Sequence, residues 1–219
     1  MKAFVIFRDR VSYAMTCIER LEDAGLEVII VNKETSYPPA LEWLGETPLP
    51  VYSVANSHPQ DLWKEHWFIN VVDPAARYIV TDCDVAVDRD CPEDWVDHLS
   101  AILEQHPDRC KVGLGLRTDN LPAHYRHRTQ VQEWEKQHWA NKVSEGLYGA
   151  AVDTTLAMYQ PLRAHPKFSL GPAPRTGSPY LARHLSWYED SSWDEEERSW
   201  YEEHMNRDYS HWIAPERYS

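Results

Sequence analysis

The run Ala3 to Phe7, continuous and apolar, constrains this chain most, because only a strand covered on both faces can hide it. Behind it Ala14, Cys17, Ile18 and Leu21 recur on one helical face, Ser12 stands where a cap is needed, and Gly25 stands where the helix should stop. Leu26 to Val31 is a second buried run. Strand, helix and strand within about thirty residues make a βαβ unit, whose crossover is nearly always right-handed and whose sheet is mostly parallel.

The same signals continue downstream. Pro38-Pro39 opens a short helix carrying Leu41, Trp43 and Leu44 and closed by Gly45, and Val51 to Val54 reads as a third strand. Asp61 to Asn70 is predicted helical and Tyr78 to Thr81 a strand; Pro92 then starts a helix with Trp95, Val96, Leu99, Ile102 and Leu103 in one stripe. Lys111 to Leu116 is the next strand, Thr129 to Lys142 a helix rich in Trp and charge, and Gly149 to Tyr159 one strand or two short ones. Five prolines and two glycines make Pro161 to Pro179 a loop, long enough in a compact domain to suggest a functional one. With 219 residues, 42% of them hydrophobic, the chain can bury one sizeable core. The expected organisation is one domain over residues 1–190, with an acidic, aromatic tail, residues 191–219, wrapped on it.

The formal charge is −13, and residues 184–219 hold ten Asp or Glu against three Arg. Such a chain is repelled by polyanions, which argues against broad electrostatic binding of nucleic acid. One segment, Arg117 to Arg128, runs the other way with three Arg and two His against one Asp. Cys17, Cys83, Cys91 and Cys110 form no Cys-x-x-Cys pair and lie in or beside apolar segments, as free buried thiols do. No apolar run is long enough to cross a membrane, and Ala3 to Phe7 stops at Arg8-Asp9-Arg10, the wrong flank for a signal peptide. A cytoplasmic location is expected.

The chemistry concentrates at Tyr78-Ile79-Val80-Thr81-Asp82-Cys83-Asp84-Val85, an apolar run that ends on two carboxylates one residue apart. If the strand continues through both, alternation throws Asp82 and Asp84 to the same side. Two such oxygen donors can grip a hard divalent cation or share it with a phosphate.

An α/β first half, Phe7-Arg8-Asp9-Arg10 after the first strand, Asp82-Cys83-Asp84 after a later one, a strand around Asp153-Thr154-Thr155, and the segment from Arg175 through Ser178 and Arg183 to His184 together resemble the GT-A fold of nucleotide-sugar glycosyltransferases. The resemblance covers Ala3 to about Tyr188 and is nearest to small single-domain bacterial and viral members. It implies a Rossmann-like, mixed and mostly parallel central sheet flanked by helices. It also implies a divalent ion, Mn2+ or Mg2+, held by Asp82, Asp84 and His184 on the diphosphate of the donor. Imidazole among carboxylates favours Mn2+. Phe7, Arg8, Asp9, Arg10, Asp82, Cys83, Arg175, Ser178 and Arg183 are then expected at the donor, with the two later arginines reaching it from the proline-rich loop. Where relatives often carry an acid after the second strand, this chain has Asn32-Lys33, which leaves the nucleotide open; a UDP-sugar is the first expectation.

Transfer with inversion needs a base on the acceptor hydroxyl, for which Asp153 is the first candidate and Glu189 or Asp190 the next. The acceptor is expected to be a glycan, a lipid-linked group, or DNA carrying a hydroxymethylated pyrimidine. Arg117 to Arg128 would meet its phosphates, and Tyr125 or Trp134 would stack on a displaced base. Rival readings are a metal-dependent nucleotidyltransferase or hydrolase on the same scaffold, and a nucleotide-sugar binding protein without turnover.

Overall fold

The computed structural model describes residues 1–55, 59–152, 155–163, 173–188 and 195–205. The first βαβ unit is β1 (Lys2–Phe7), α1 (Val11–Asp23) and β2 (Glu27–Lys33), followed by α2 (Pro38–Glu46) and β3 (Val51–Val54). After a 3-10 stretch, Pro59–Lys64, come α3 (His66–Val71), β4 (Tyr78–Asp82), β5 (Val85–Val87) and α4 (Trp95–Gln105). The second half contributes β6 (Lys111–Gly113), β7 (Gly115–Leu116), α5 (Arg128–Glu135), β8 (Lys142–Ser144), β9 (Leu147–Ala150), β10 (Ala157–Tyr159), β11 (Ala173–Thr176), β12 (Leu181–His184) and α6 (Glu195–His204).

Among the described residues the strands form a nine-stranded sheet, ordered β3-β2-β1-β4-β10-β6-β11-β9-β8, and a three-stranded one, β5-β12-β7. β1, β2, β3 and β4 run parallel, β10 runs against both β4 and β6, and β11 runs with β6. This is the mixed, mostly parallel α/β architecture expected from the sequence. Alternation along β1 explains its two faces: Ala3, Val5 and Phe7 join the core under α1 and α4, while Phe4 and Ile6 join Phe68, Tyr78 and Val80 on the other side. Each fully buried side chain of this kind contributes roughly 1.5–3 kcal/mol by leaving water.

Several local expectations change. Asp61 to Asn70 is not one helix but the 3-10 turn and α3, and Thr129 to Lys142 divides into α5, a 3-10 turn at Lys136–Trp139 and the start of β8. Lys111 to Leu116 splits into β6 and β7 because the chain leaves the large sheet for the small one, with Leu114 N–H bonded to Leu156 O between them. Pro174, Arg175 and Thr176, expected in a loop, are buried in β11, where β9 and β6 supply the partners that the proline-rich composition hid. Ser12 does not cap α1, which starts at Val11; the carboxylate of Glu197 on α6 takes the backbone N–H groups of Val11 and Ser12 at 2.7 and 3.2 Å. None of the helices in the described residues is long and apolar enough to cross a membrane.

Candidate active site

Open parallel sheets bind ligands at the carboxyl ends of their strands, and the residues of interest gather on that rim. β4 ends at Asp82, and Cys83-Asp84 form the turn that carries the chain into β5 and the small sheet. The two carboxylates therefore do not alternate along one strand. Cys83 N–H bonds Ile6 O, Thr81 Oγ bonds the carbonyls of Asp82 and Val85, and Leu185 N–H bonds Asp84 O at 2.7 Å, so the turn is held by its backbone. That last bond and the pairing of β12 with β5 bring His184 to Asp84, 100 residues on in sequence, with Nε2 at 3.8 Å from Oδ2.

The imidazole of His184 is held from several sides. Its ring stacks on Trp187, with centroids 4.7 Å apart, and Nδ1 shares a 2.7 Å hydrogen bond with Ser186 Oγ. That bond leaves Nε2 as the nitrogen facing Asp84. Burial lowers its pKa, Asp84 opposes that shift and Arg10 adds to it, so the ring is neutral near pH 7. Asp84 itself pairs with Arg10 Nη1 at 2.8 Å. The Arg10 guanidinium lies 3.6 Å from the centre of the Tyr201 ring on α6.

The loop after β1 has several tasks. Asp9 Oδ1 accepts the backbone N–H groups of Ser36 and Tyr37, at 2.6 and 2.8 Å, and thereby fixes the approach to α2; its φ of 59° is the left-handed conformation that lets the side chain turn back. Arg8 bonds His204 O on α6 at 2.8 Å. Phe7, expected at the donor, is fully buried against Trp43 and belongs to the core, because strand alternation points it under α1. The thiol of Cys83 is buried and pushed well above its ordinary pKa by burial, with Asp84 adding to the effect, so it is no nucleophile. Asp82 lies on the Lys33 side, where burial lowers the lysine pKa and the Asp82 charge opposes that shift.

The arginines expected at a diphosphate are engaged elsewhere. Arg175 is 4% exposed and pairs with Glu135 at 2.5 Å. Burial raises the pKa of Glu135 and lowers that of Arg175, each opposed by the partner's charge. Arg183 Nε bonds Asp88 Oδ2 at 2.5 Å, and Arg117 bonds Asp88 at 3.1 Å, Asp90 at 2.6 Å and Asp119 at 3.0 Å. Asp88, 1% exposed between two guanidinium groups, was missed by the sequence reading. A signal existed: Asp88-Arg89-Asp90 is a second acid-x-acid a few residues after the first. Ser178 lies on the loop after β11 and lines a cleft with Arg117, Trp139 and Tyr148. Asp153, Glu189 and Asp190, the candidate bases, lie outside the described residues.

The described residues thus bring together Asp84, His184 and Arg10. Among them no group of three or more His, Cys, Asp or Glu side chains converges as a metal cage, so Asp82 does not join Asp84 and His184 in a trio. No protein-family model matches the chain, and no curated protein matches it. Solved structures are similar to it, among them the following three. The mannosyltransferase PcManGT from Pyrobaculum calidifontis, in complex with GDP-Man and Mn2+, superposes with a TM-score of 0.44 at 14% identity, over 77% of this chain and 47% of that one. S. aureus TarS 1-349 gives 0.46 at 8% identity, over 84% and 60%, so this chain spans less than two thirds of either of the two. A UDP-glucose pyrophosphorylase complexed with UDP-glucose gives 0.43 at 9% identity, over 93% and 100%. Likenesses this distant decide nothing about activity.

Proposed function

We propose that the chain is a metal-dependent glycosyltransferase that moves a sugar from a nucleotide-sugar donor, a UDP-sugar foremost, to a hydroxyl acceptor with inversion. The observation that carries this reading is the meeting of Asp84 and His184, 3.8 Å apart, on the sheet rim where ligands bind. A carboxylate oxygen and an imidazole nitrogen suit Mn2+ better than Mg2+, and an ion held by one or two protein donors takes its other ligands from phosphate and water. The residues present therefore fit such an ion, with Asp84 and His184 as its holders. Bound there, it would supply Lewis-acid stabilisation of the charge on a departing diphosphate.

The chain's own residues have definable tasks. Ser186 and Trp187 fix the orientation of His184, so that little ordering remains when a ligand arrives. Arg10 pairs with Asp84, and its planar fork is suited to phosphate oxygens once the carboxylate is otherwise engaged. Asp153 is the proposed base, with Glu189 and Asp190 as its alternates.

Calorimetry with UDP-, GDP- and TDP-sugars, with and without Mn2+, tests the reading. Binding of one donor should require the metal, Asp84→Ala should abolish both binding and transfer, and Asp153→Asn should spare binding while removing transfer. Equal donor binding in chelator would overturn the metal site. So would a donor complex in which Arg10 still holds Asp84 and neither ion nor diphosphate lies beside it.

A further inference from the structure

A second feature of the rim is an open cleft of about 340 Å³ between the small sheet and the β9–β11 end of the large one, within the size range of small-molecule sites. Its aromatic wall is built rather than accidental. Trp139 and Tyr148 meet edge to face with centroids 5.2 Å apart, and Arg175 lies 5.1 Å from the Trp139 ring. A Cβ at Gly115 would stand 2.3 Å from the Thr176 carbonyl oxygen and 2.4 Å from the Trp139 ring, and one at Gly177 would stand 2.9 Å from Tyr148, so glycine at these positions admits both the close strand approach and the rings. Asp84 and Asp88 bracket β5, and four residue steps of strand, about 13 Å, separate the proposed donor site from this cleft. That is room for a donor sugar with an acceptor beside it.

The charge on the cleft limits what it can hold. Arg117 is the one cation among the lining residues described, and its guanidinium is already committed to Asp88, Asp90 and Asp119. Asp90 and Asp119 are 73% and 74% exposed at the side chain, so their remaining oxygens face solvent. Carboxylates accept hydrogen bonds and cannot donate them, which matches hydroxyl groups and opposes phosphate. Aromatic rings beside them suit the apolar C–H faces of a sugar. We propose that this cleft is the acceptor subsite and that its ligand is an uncharged saccharide. The proposal rests on the glycosyltransferase reading above, and it replaces the phosphate-bearing acceptor that the composition of Arg117 to Arg128 suggested. In the transfer the acceptor oxygen bonds the anomeric carbon, and the carbon–oxygen bond to the diphosphate breaks with its electron pair leaving on the diphosphate. The hydroxyl proton goes to the base.

The test is titration of the full chain, by saturation-transfer NMR and calorimetry, with uncharged mono- and oligosaccharides, the same sugars carrying one phosphate, and inorganic phosphate alone. Uncharged sugars should bind and their phosphorylated forms should bind more weakly. Trp139→Ala should weaken the uncharged sugars about tenfold. Because that ring also packs in the protein, the exposed pair Asp90→Asn with Asp119→Asn provides a second reading. It should weaken uncharged sugars about fivefold and, by unmasking Arg117, strengthen the phosphorylated ones. Preference of the native chain for phosphorylated sugars, or no change for either class in the Asn pair, would overturn the proposal. UDP with Mn2+ is titrated in parallel. Loss of nucleotide binding with sugar binding kept would remove the transferase reading and leave a saccharide site, whereas nucleotide binding without any uncharged sugar would remove this proposal alone.

Discussion

Arg175 and Glu135 show how a residue's setting overrides its type. An arginine in a proline-rich segment reads as a mobile cation, yet here it is buried, with Nη2 2.5 Å from a carboxylate that is equally enclosed. Breaking a buried pair strands a charge, so Arg175→Met alone should cost about 3–5 kcal/mol, measured as a shift in denaturant midpoint. Combining it with Glu135→Leu should recover most of that loss; a double variant as weak as the single would mean that packing on Trp139, and not charge, dominates. Asp82-Cys83-Asp84 was legible as a motif because spacing is a property of the sequence. Its partner was legible only through the family resemblance: His184 is one of 11 histidines, and it is strand pairing that sets it beside Asp84.

At the scale of elements, the docking of α6 on α1 is the contact that no local pattern announces. Glu197 is 4% exposed and satisfies two backbone N–H groups at the α1 N-terminus, where a negative charge also meets the helix dipole. Trp200 and Tyr201 extend the contact to Tyr37 and Arg10, with ring centroids 5.7 Å apart in the first case and a guanidinium 3.6 Å above the ring in the second. Glu197→Ala should therefore lower stability by about 1–2 kcal/mol and speed amide exchange at Val11 and Ser12. Unchanged exchange there would mean that α6 does not sit on α1 in solution. In the sequence Ser12 had every local credential of a cap, and it lost that role because a carboxylate 185 residues away occupies the position. β11 is the converse case: composition argued for a loop, and two neighbouring strands made it a strand.

Across the whole molecule, acidity and half-buried imidazoles contribute to the response to pH. Burial first, and the charge of Arg175 second, hold His138 down at about 4, against 6.5 for an unperturbed ring. Between those values the unfolded chain binds more protons than the folded one, so stability is greatest above pH 6.5 and is lost as pH falls toward 4. Thermal melts at pH 7 and pH 5 should differ in that direction, and His138→Gln should narrow the gap; an unaltered gap would assign the effect to other groups. The sequence by itself determined the layered α/β architecture, the parallel first half and the acid-x-acid motif, because apolar periodicity and short spacings are local and strand burial leaves few alternatives. Tertiary structure alone decided that Asp84 meets His184 and Arg10, that Arg175 is spent on Glu135, and that Arg117 is neutralised by three aspartates. Those are pairings between residues distant in the chain, and a side chain's charge is available to a ligand only when the fold has not already brought it an opposite one.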